Sequence, residues 1–267
     1  MLTAPCLALL ALAAAGPSWP GEASEVDGGT RYDFTVDGRP AFVVVPQTPA
    51  AGSPWVWRAR FPAFHAEADR LLLRRGFHVA YVDTDGMLGG PRAMRHWDAF
   101  HEFVTARGLS ERVALEAVSR GGLFAYRWAS ANPQKVACVY ADTPVCDFKS
   151  WPLGRGAAAG SPDRWAALLK EYGLTHEEAL AFEGNPVDVL EPLAKAGVPL
   201  LHVISLNDRV VPPAENTLPL AERYRALGGS IEIIEVAEGT EESQGHHFPH
   251  PDPGRVADFI EKHAAAK

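Results

Sequence analysis

Three residues in this chain have the types and the order that nucleophilic catalysis needs. Ser119 lies in Ala117-Val118-Ser119-Arg120-Gly121-Gly122, directly after the apolar run Val113 to Val118 and directly before a helical stretch, Leu123 to Ser130. A serine hydroxyl is a weak nucleophile until a base takes its proton. A sharp strand-to-helix turn exposes its oxygen and aims backbone N–H groups and the helix dipole at developing negative charge. Such a turn needs small neighbours, and Ala117 stands where a glycine would complete Gly-x-Ser-x-Gly. Alone, the motif is also that of an ordinary serine-capped helix. Order adds the weight: Asp208 follows the apolar run Leu200 to Leu206, and Gly245-His246-His247 follows the last strand-like run. Serine, acid and histidine, each after a strand, can converge at one sheet edge. His246 is the first choice as base, because the preceding glycine permits a close approach, and His247 is the second.

Around this trio, the oxyanion should be met by the backbone N–H of Arg120 and by an N–H from the loop after Trp57, at Arg58 or Ala59. The Arg120 side chain either reaches over the site or forms a surface salt bridge. Trp57, Arg58, Arg60, Asp85, Trp97, Arg120 and Trp151 are candidates for the substrate rim, since indole faces stack on sugars and guanidiniums grip carboxylates. His246, His247, His250 and Asp252 invite a metal, but the proline-broken Phe248-Pro249-His250-Pro251 has no matching ligand pair elsewhere, so neither a metal nor a cofactor is expected.

The elements that must position these residues alternate as in an α/β fold with a mostly parallel sheet and helices on both faces. Arg31 to Val36 and Arg39 to Val45, joined at Asp37-Gly38, read as a hairpin, with Pro40 suggesting a sheet edge. Strands are expected at Trp55 to Trp57, Phe77 to Val82, Val113 to Val118, Val136 to Ala141, Leu200 to Leu206 and Ser230 to Val236. Helices are expected at His65 to Arg75, His96 to Arg107, Leu123 to Ser130, Leu218 to Leu227 and Asp252 to Ala265. The pattern breaks at residues 148–190, where a Gly/Ala/Pro stretch and two short helical segments, Asp163 to Tyr172 and Thr175 to Phe182, read as a small lid.

A length of 267 residues with 47% hydrophobic residues suffices for one core, and residues 28–267 read as one catalytic domain. A net charge of −8 leaves no basic stripe for phosphates, so no nucleic-acid partner is expected. No apolar run is long enough to span a bilayer, but Leu2 to Ala15 has the length of a signal-peptide core. Residues 1–23 therefore read as an export signal, cleaved after Ala15 or near Ala23, for a secreted or periplasmic protein. The absence of Lys and Arg at its start keeps a cytoplasmic leader open. Cys138 and Cys146 could form a disulfide in an oxidising compartment, or stay as two buried thiols.

The elbow Ser119-Arg120-Gly121-Gly122, the run Asn207-Asp208-Arg209-Val210-Val211-Pro212 and Gly245-His246-His247 resemble the α/β-hydrolase superfamily, in its dienelactone-hydrolase and prolyl-oligopeptidase-like branch. In detail they are similar to exported bacterial hydrolases with a Ser-Arg-Gly-Gly elbow, and more distantly to glucuronoyl esterases. The resemblance runs from about Arg31 to the C terminus. It implies a three-layer α/β-hydrolase fold and an acyl-enzyme mechanism, with the residue directly after the loop glycine as base. A small-molecule or carbohydrate-linked ester is the expected substrate, since a lid of about 40 residues lacks the large cap that steers peptides. A prolyl-oligopeptidase-like peptidase and a non-catalytic binding protein on the same fold are the alternatives. The resemblance implies no oligomeric state.

Overall fold

A computed structural model describes residues 18–265. Nine strands form one sheet in the order β1-β2-β3-β5-β4-β6-β7-β8-β9. The first three are β1 (Glu22–Val26), β2 (Gly29–Val36) and β3 (Arg39–Pro46), which pair antiparallel to each other, and β3 pairs antiparallel to β5 (His78–Val82). The others run parallel: β4 (Trp55–Arg58), β6 (Val113–Val118), β7 (Val136–Asp142), β8 (Leu200–Ser205) and β9 (Ile231–Val236). Parallel strands are covered on both faces, which is why β6, β7 and β8 are buried throughout and read as mostly apolar runs, interrupted by the buried Glu116 in β6 and His202 in β8 and closed by Asp142 in β7 and Ser205 in β8.

The β2–β3 hairpin turns where expected, with Asp37 and Gly38 at φ of 48° and 72°, the positive angles of a tight turn. Pro40 does not mark a sheet edge. β3 lies between β2 and β5, and Pro40 sits one residue into it, where its carbonyl accepts Asp83 N–H at 2.8 Å. The edge is β1, whose fully exposed sequence carries no apolar alternation to announce it. Residues 1–17, and with them most of the expected export signal, lie outside the described residues. Trp19 stacks on Phe34 at 6.1 Å, so the packed structure begins before residue 28, and cleavage near Ala23 would cut β1.

One face of the sheet is covered by α1 (Glu67–Arg74) and α8 (Pro253–Ala264), whose Leu72, Val256 and Ile260 pack with Val56, Phe77, Ala114 and Leu201. The other is covered by α2 (Pro91–Thr105), α3 (Gly121–Ala131) and α7 (Thr217–Ala226) over a core rich in aromatic rings. Trp55, Trp57, Trp97, Phe100 and Phe124 are each buried there, and burying each contributes on the order of 2 kcal/mol. α2 starts at Pro91, five residues ahead of expectation, with its proline at a first-turn position where no donor is lost. Between β7 and β8 come α4 (Pro162–Tyr172), α5 (His176–Leu180) and α6 (Glu191–Lys195). Cys138 and Cys146 are both free and buried, and they pack into the clusters on opposite sides of the sheet, so no disulfide joins them.

Candidate active site

Ser119, Asp208 and His246 meet at the carboxyl edge of the parallel strands. Ser119 follows β6 with φ of 51°, a left-handed conformation costly for a residue with a Cβ. The strain is held by three backbone bonds: Ser119 N–H to Asp142 O at 2.8 Å, and Ser119 O from Gly122 N–H at 3.0 Å and Val145 N–H at 2.9 Å. Gly122 is required for that approach, since a Cβ there would stand 2.4 Å from Val145 O. Ala117, in place of the first elbow glycine, is accommodated with full burial.

His246 Nε2 accepts the Ser119 hydroxyl at 2.9 Å, and its Nδ1–H donates to Asp208 Oδ2 at 2.6 Å. The other Asp208 oxygen accepts Val210 N–H and Val211 N–H, both at 2.8 Å, so the carboxylate is fixed in rotation. The histidine loop is clamped by Asn207, whose Oδ1 accepts Gly239 N–H at 2.7 Å. Gly245, at φ of 83°, lets this loop cross Asn207, because a Cβ would lie 2.3 Å from its carbonyl. His247 lies beside the trio and faces Phe64 at 5.0 Å, with no hydrogen bond from its ring to Ser119 or Asp208. Burial, with His246 and His65 nearby, holds its ring below the usual histidine range.

A cavity of about 300 Å³ opens on Ser119, with Phe61, Phe64, Arg120, Thr143, Trp151, Val210 and both histidines in its wall. Trp151 and Arg120 thus both line the cavity that opens on Ser119. Trp57 and Trp97 do not. They stack on each other at 4.3 Å with no exposed surface, as core residues. Arg58 is withdrawn as well: its guanidinium lies buried between Asp69 at 2.9 Å and Glu116 at 2.8 Å and donates to the carbonyls of Phe61 and Phe64. Burial pulls Arg58 down, but the two carboxylates outweigh it and keep the guanidinium charged. Burial, then Asp69, pushes Glu116 well up, since one guanidinium cannot neutralise two buried carboxylates.

The expectation for the second oxyanion donor also changes. Ala59 N–H is consumed by Glu116 O at 2.8 Å, and Arg58 belongs to β4. The following residues, Arg60 and Phe61, donate no backbone hydrogen bond within the described protein, and Arg60 N lies 3.6 Å from where a Cβ on Gly121 would be. Phe61 has φ of 50°, so the loop is bent at this point. At the rim, Asp85 pairs with Arg60 at 3.0 Å and Arg120 at 3.2 Å, so these three expected rim residues do come together. Burial would raise Asp85, but Arg120 and Arg60 outweigh it and hold its carboxyl below the usual range. Burial lowers Arg120, and the nearby Arg60 and Arg164 act in the same direction. Among the described residues, no cluster of His, Cys, Asp and Glu fits a metal ion, and no helix is long and apolar enough to cross a membrane.

Solved structures share this arrangement of strands and helices. A Mycobacterium tuberculosis puromycin-hydrolyzing peptidase superposes with a TM-score of 0.69 at 17% identity, over 91% of this chain and 41% of its own. The chain has the α/β-hydrolase fold. The 2,6-dihydroxy-pseudo-oxynicotine hydrolase matches with a TM-score of 0.63 at 18% identity, over 88% of this chain and 68% of its own. The esterase rPPE matches with 0.62 at 16% identity, over 92% and 84%. Acylaminoacyl peptidase of Pyrococcus horikoshii matches with 0.61 at 15% identity, and the hydrolase fold here spans 42% of that chain's length, as it spans 41% of the puromycin-hydrolyzing peptidase. No family model and no curated protein matches the sequence.

The sequence assigns no role to His65, Asp142, Phe61, Phe64 or Thr143, and Asn207 enters it only as the first residue of the run Asn207 to Pro212. Asp142 alone carried a signal, as an acid ending a buried strand at the edge where ligands bind in open α/β sheets.

Proposed function

We propose that this chain is a serine hydrolase cleaving carboxylic esters, with Ser119 as nucleophile, His246 as base and Asp208 as the acid that orients it. The observation carrying this reading is the unbroken hydrogen-bond line from Asp208 through His246 to Ser119, opening on a cavity. His246 takes the hydroxyl proton as Ser119 attacks the ester carbonyl. The oxyanion is met by Arg120 N–H and by Arg60 or Phe61 N–H. Collapse expels the alcohol, which takes the proton from His246, and leaves an acyl-enzyme. The histidine then deprotonates water, whose attack releases the acid and restores Ser119. No cofactor takes part.

Ester is favoured over peptide by the small cavity and by the short insertion between β7 and β8. Trp151, Arg60, Asp85 and Arg120 suit a polar or carbohydrate-linked ester. A peptidase is the second reading, favoured by the two similar peptidase structures. Export to the periplasm or beyond rests on the leader sequence alone. The test is hydrolysis of p-nitrophenyl acetate, p-nitrophenyl butyrate, a methyl glucuronate ester and a peptide p-nitroanilide by the wild type, Ser119→Ala and His246→Ala. Ester turnover lost in both variants supports the proposal, and turnover of the anilide alone would replace it with the peptidase.

A further inference from the structure

Beside the triad, a second histidine–carboxylate pair joins the segments that build the site. His65 stands in the loop between β4 and α1 at φ of 49°. Its Nδ1 hydrogen-bonds to Asp142 Oδ2, and its Nε2 lies 2.7 Å from the carbonyl oxygen of Phe248. Asp142 ends β7, and its own carbonyl accepts Ser119 N–H at 2.8 Å. Phe248 lies two residues beyond His246. The loop bearing His65 also carries Phe61 and Phe64, which line the cavity. One imidazole thus spans the support of the nucleophile, the loop of the base and the loop after β4, without hydrogen-bonding to any member of the triad.

Both of its partners are acceptors. A carbonyl oxygen accepts only, and so does an ionised carboxylate, whereas a neutral imidazole has a single N–H. Making both bonds needs one more proton in the pair, and an imidazolium against a carboxylate supplies it. We propose that His65 is a positioning residue whose doubly protonated ring ties the His246 loop to the strand end beneath Ser119, and that losing this proton loosens the base. The inference rests on the hydrolase reading above.

The groups facing His65 agree with that state. Asp142 approaches from β7 and exposed Glu67 from α1; His247 and His250 approach from the histidine loop, with the His250 ring edge-on at 5.3 Å. His250 is itself engaged with the Tyr140 hydroxyl at 2.9 Å. Burial holds both of those histidines below the usual range, so near neutrality they add little positive charge. Burial alone would lower His65 too, but the hydrogen bond and charge of Asp142 outweigh it and raise its pKa above 6.5.

Two measurements test this. Ring-nitrogen NMR of histidine-labelled protein between pH 6 and 9, with His65 assigned by its loss in His65→Gln, should show both nitrogens protonated at pH 7. A single neutral tautomer there overturns the proposal. For p-nitrophenyl acetate, wild-type kcat should fall on the alkaline side in step with the NMR transition, with KM unchanged. His65→Gln keeps one donor and cannot titrate, so it should lower kcat by about tenfold to a hundredfold and lack that fall. An alkaline fall that persists in His65→Gln overturns the proposal. Should that variant fail to fold, Glu67→Gln, outside the site, should draw the NMR transition and the alkaline fall to lower pH together; transitions that separate overturn the link. If no ester is hydrolysed at any pH, the hydrolase reading fails while the NMR result still decides the state of His65.

Discussion

Replacing Asp208 by Asn should silence the site while leaving the fold intact, and the structure dictates why. One carboxylate oxygen accepts two backbone N–H groups, Val210 and Val211, at 2.8 Å each, and the other accepts from His246 Nδ1 at 2.6 Å. An asparagine must keep its oxygen on the two N–H groups. The flipped amide would leave both buried donors unpaired, at about 1–3 kcal/mol apiece. Its NH2 therefore faces Nδ1 and forces the ring proton onto Nε2, the position that must receive the Ser119 proton. A triad locked in the wrong tautomer loses about 10⁴ in kcat. Steady-state hydrolysis of p-nitrophenyl acetate reads this, with urea unfolding in parallel to show stability changed by no more than about 1 kcal/mol. A variant within tenfold of wild-type kcat would refute the role given to Asp208.

Other substitutions probe the frame around the site. Arg58→Met leaves Asp69 and Glu116 buried without a cation and should destabilise by about 3–5 kcal/mol in urea unfolding, which a change below about 1 kcal/mol would contradict. Gly122→Ala drives a Cβ to 2.4 Å from Val145 O and should cost about 1–3 kcal/mol together with ester turnover; unchanged activity would show the elbow can shift. Burial lowers His202 to about 3 and His78 to about 4, both from 6.5. Their stabilising effect is therefore complete above pH 6.5 and is lost as pH falls toward those values. At pH 5 each should cost about 2 kcal/mol relative to pH 7, so flat stability across that range would contradict their neutral burial.

The strand and helix order was legible because the central parallel strands are mostly apolar runs between turn residues; Ser119 and Asp208 follow two of these, whereas His246 lies in the loop after the alternating, half-exposed edge strand β9. β1 was hidden because an exposed edge strand such as Glu22–Val26 needs no apolar pattern. The tryptophans misled for a related reason. Trp57 and Trp97 lie near site residues in sequence, but alternation along β4 and the inward stripe of α2 turn both into the core. Arg58 looked like a loop residue with a free side chain, and its partners, 11 and 58 residues away, could not be paired from spacing. His65 was silent on the same ground, since its contact with Phe248 spans 183 residues.

The central claim is that Ser119 is an activated nucleophile. The most direct measurement is labelling of the native protein with a fluorophosphonate probe, followed by mass-spectrometric location of the adduct, because only a serine whose proton is drawn off by a base reacts at a useful rate. The account predicts one adduct, on Ser119, absent in Ser119→Ala and strongly slowed in His246→Ala. No labelling, or labelling at another residue, would contradict it.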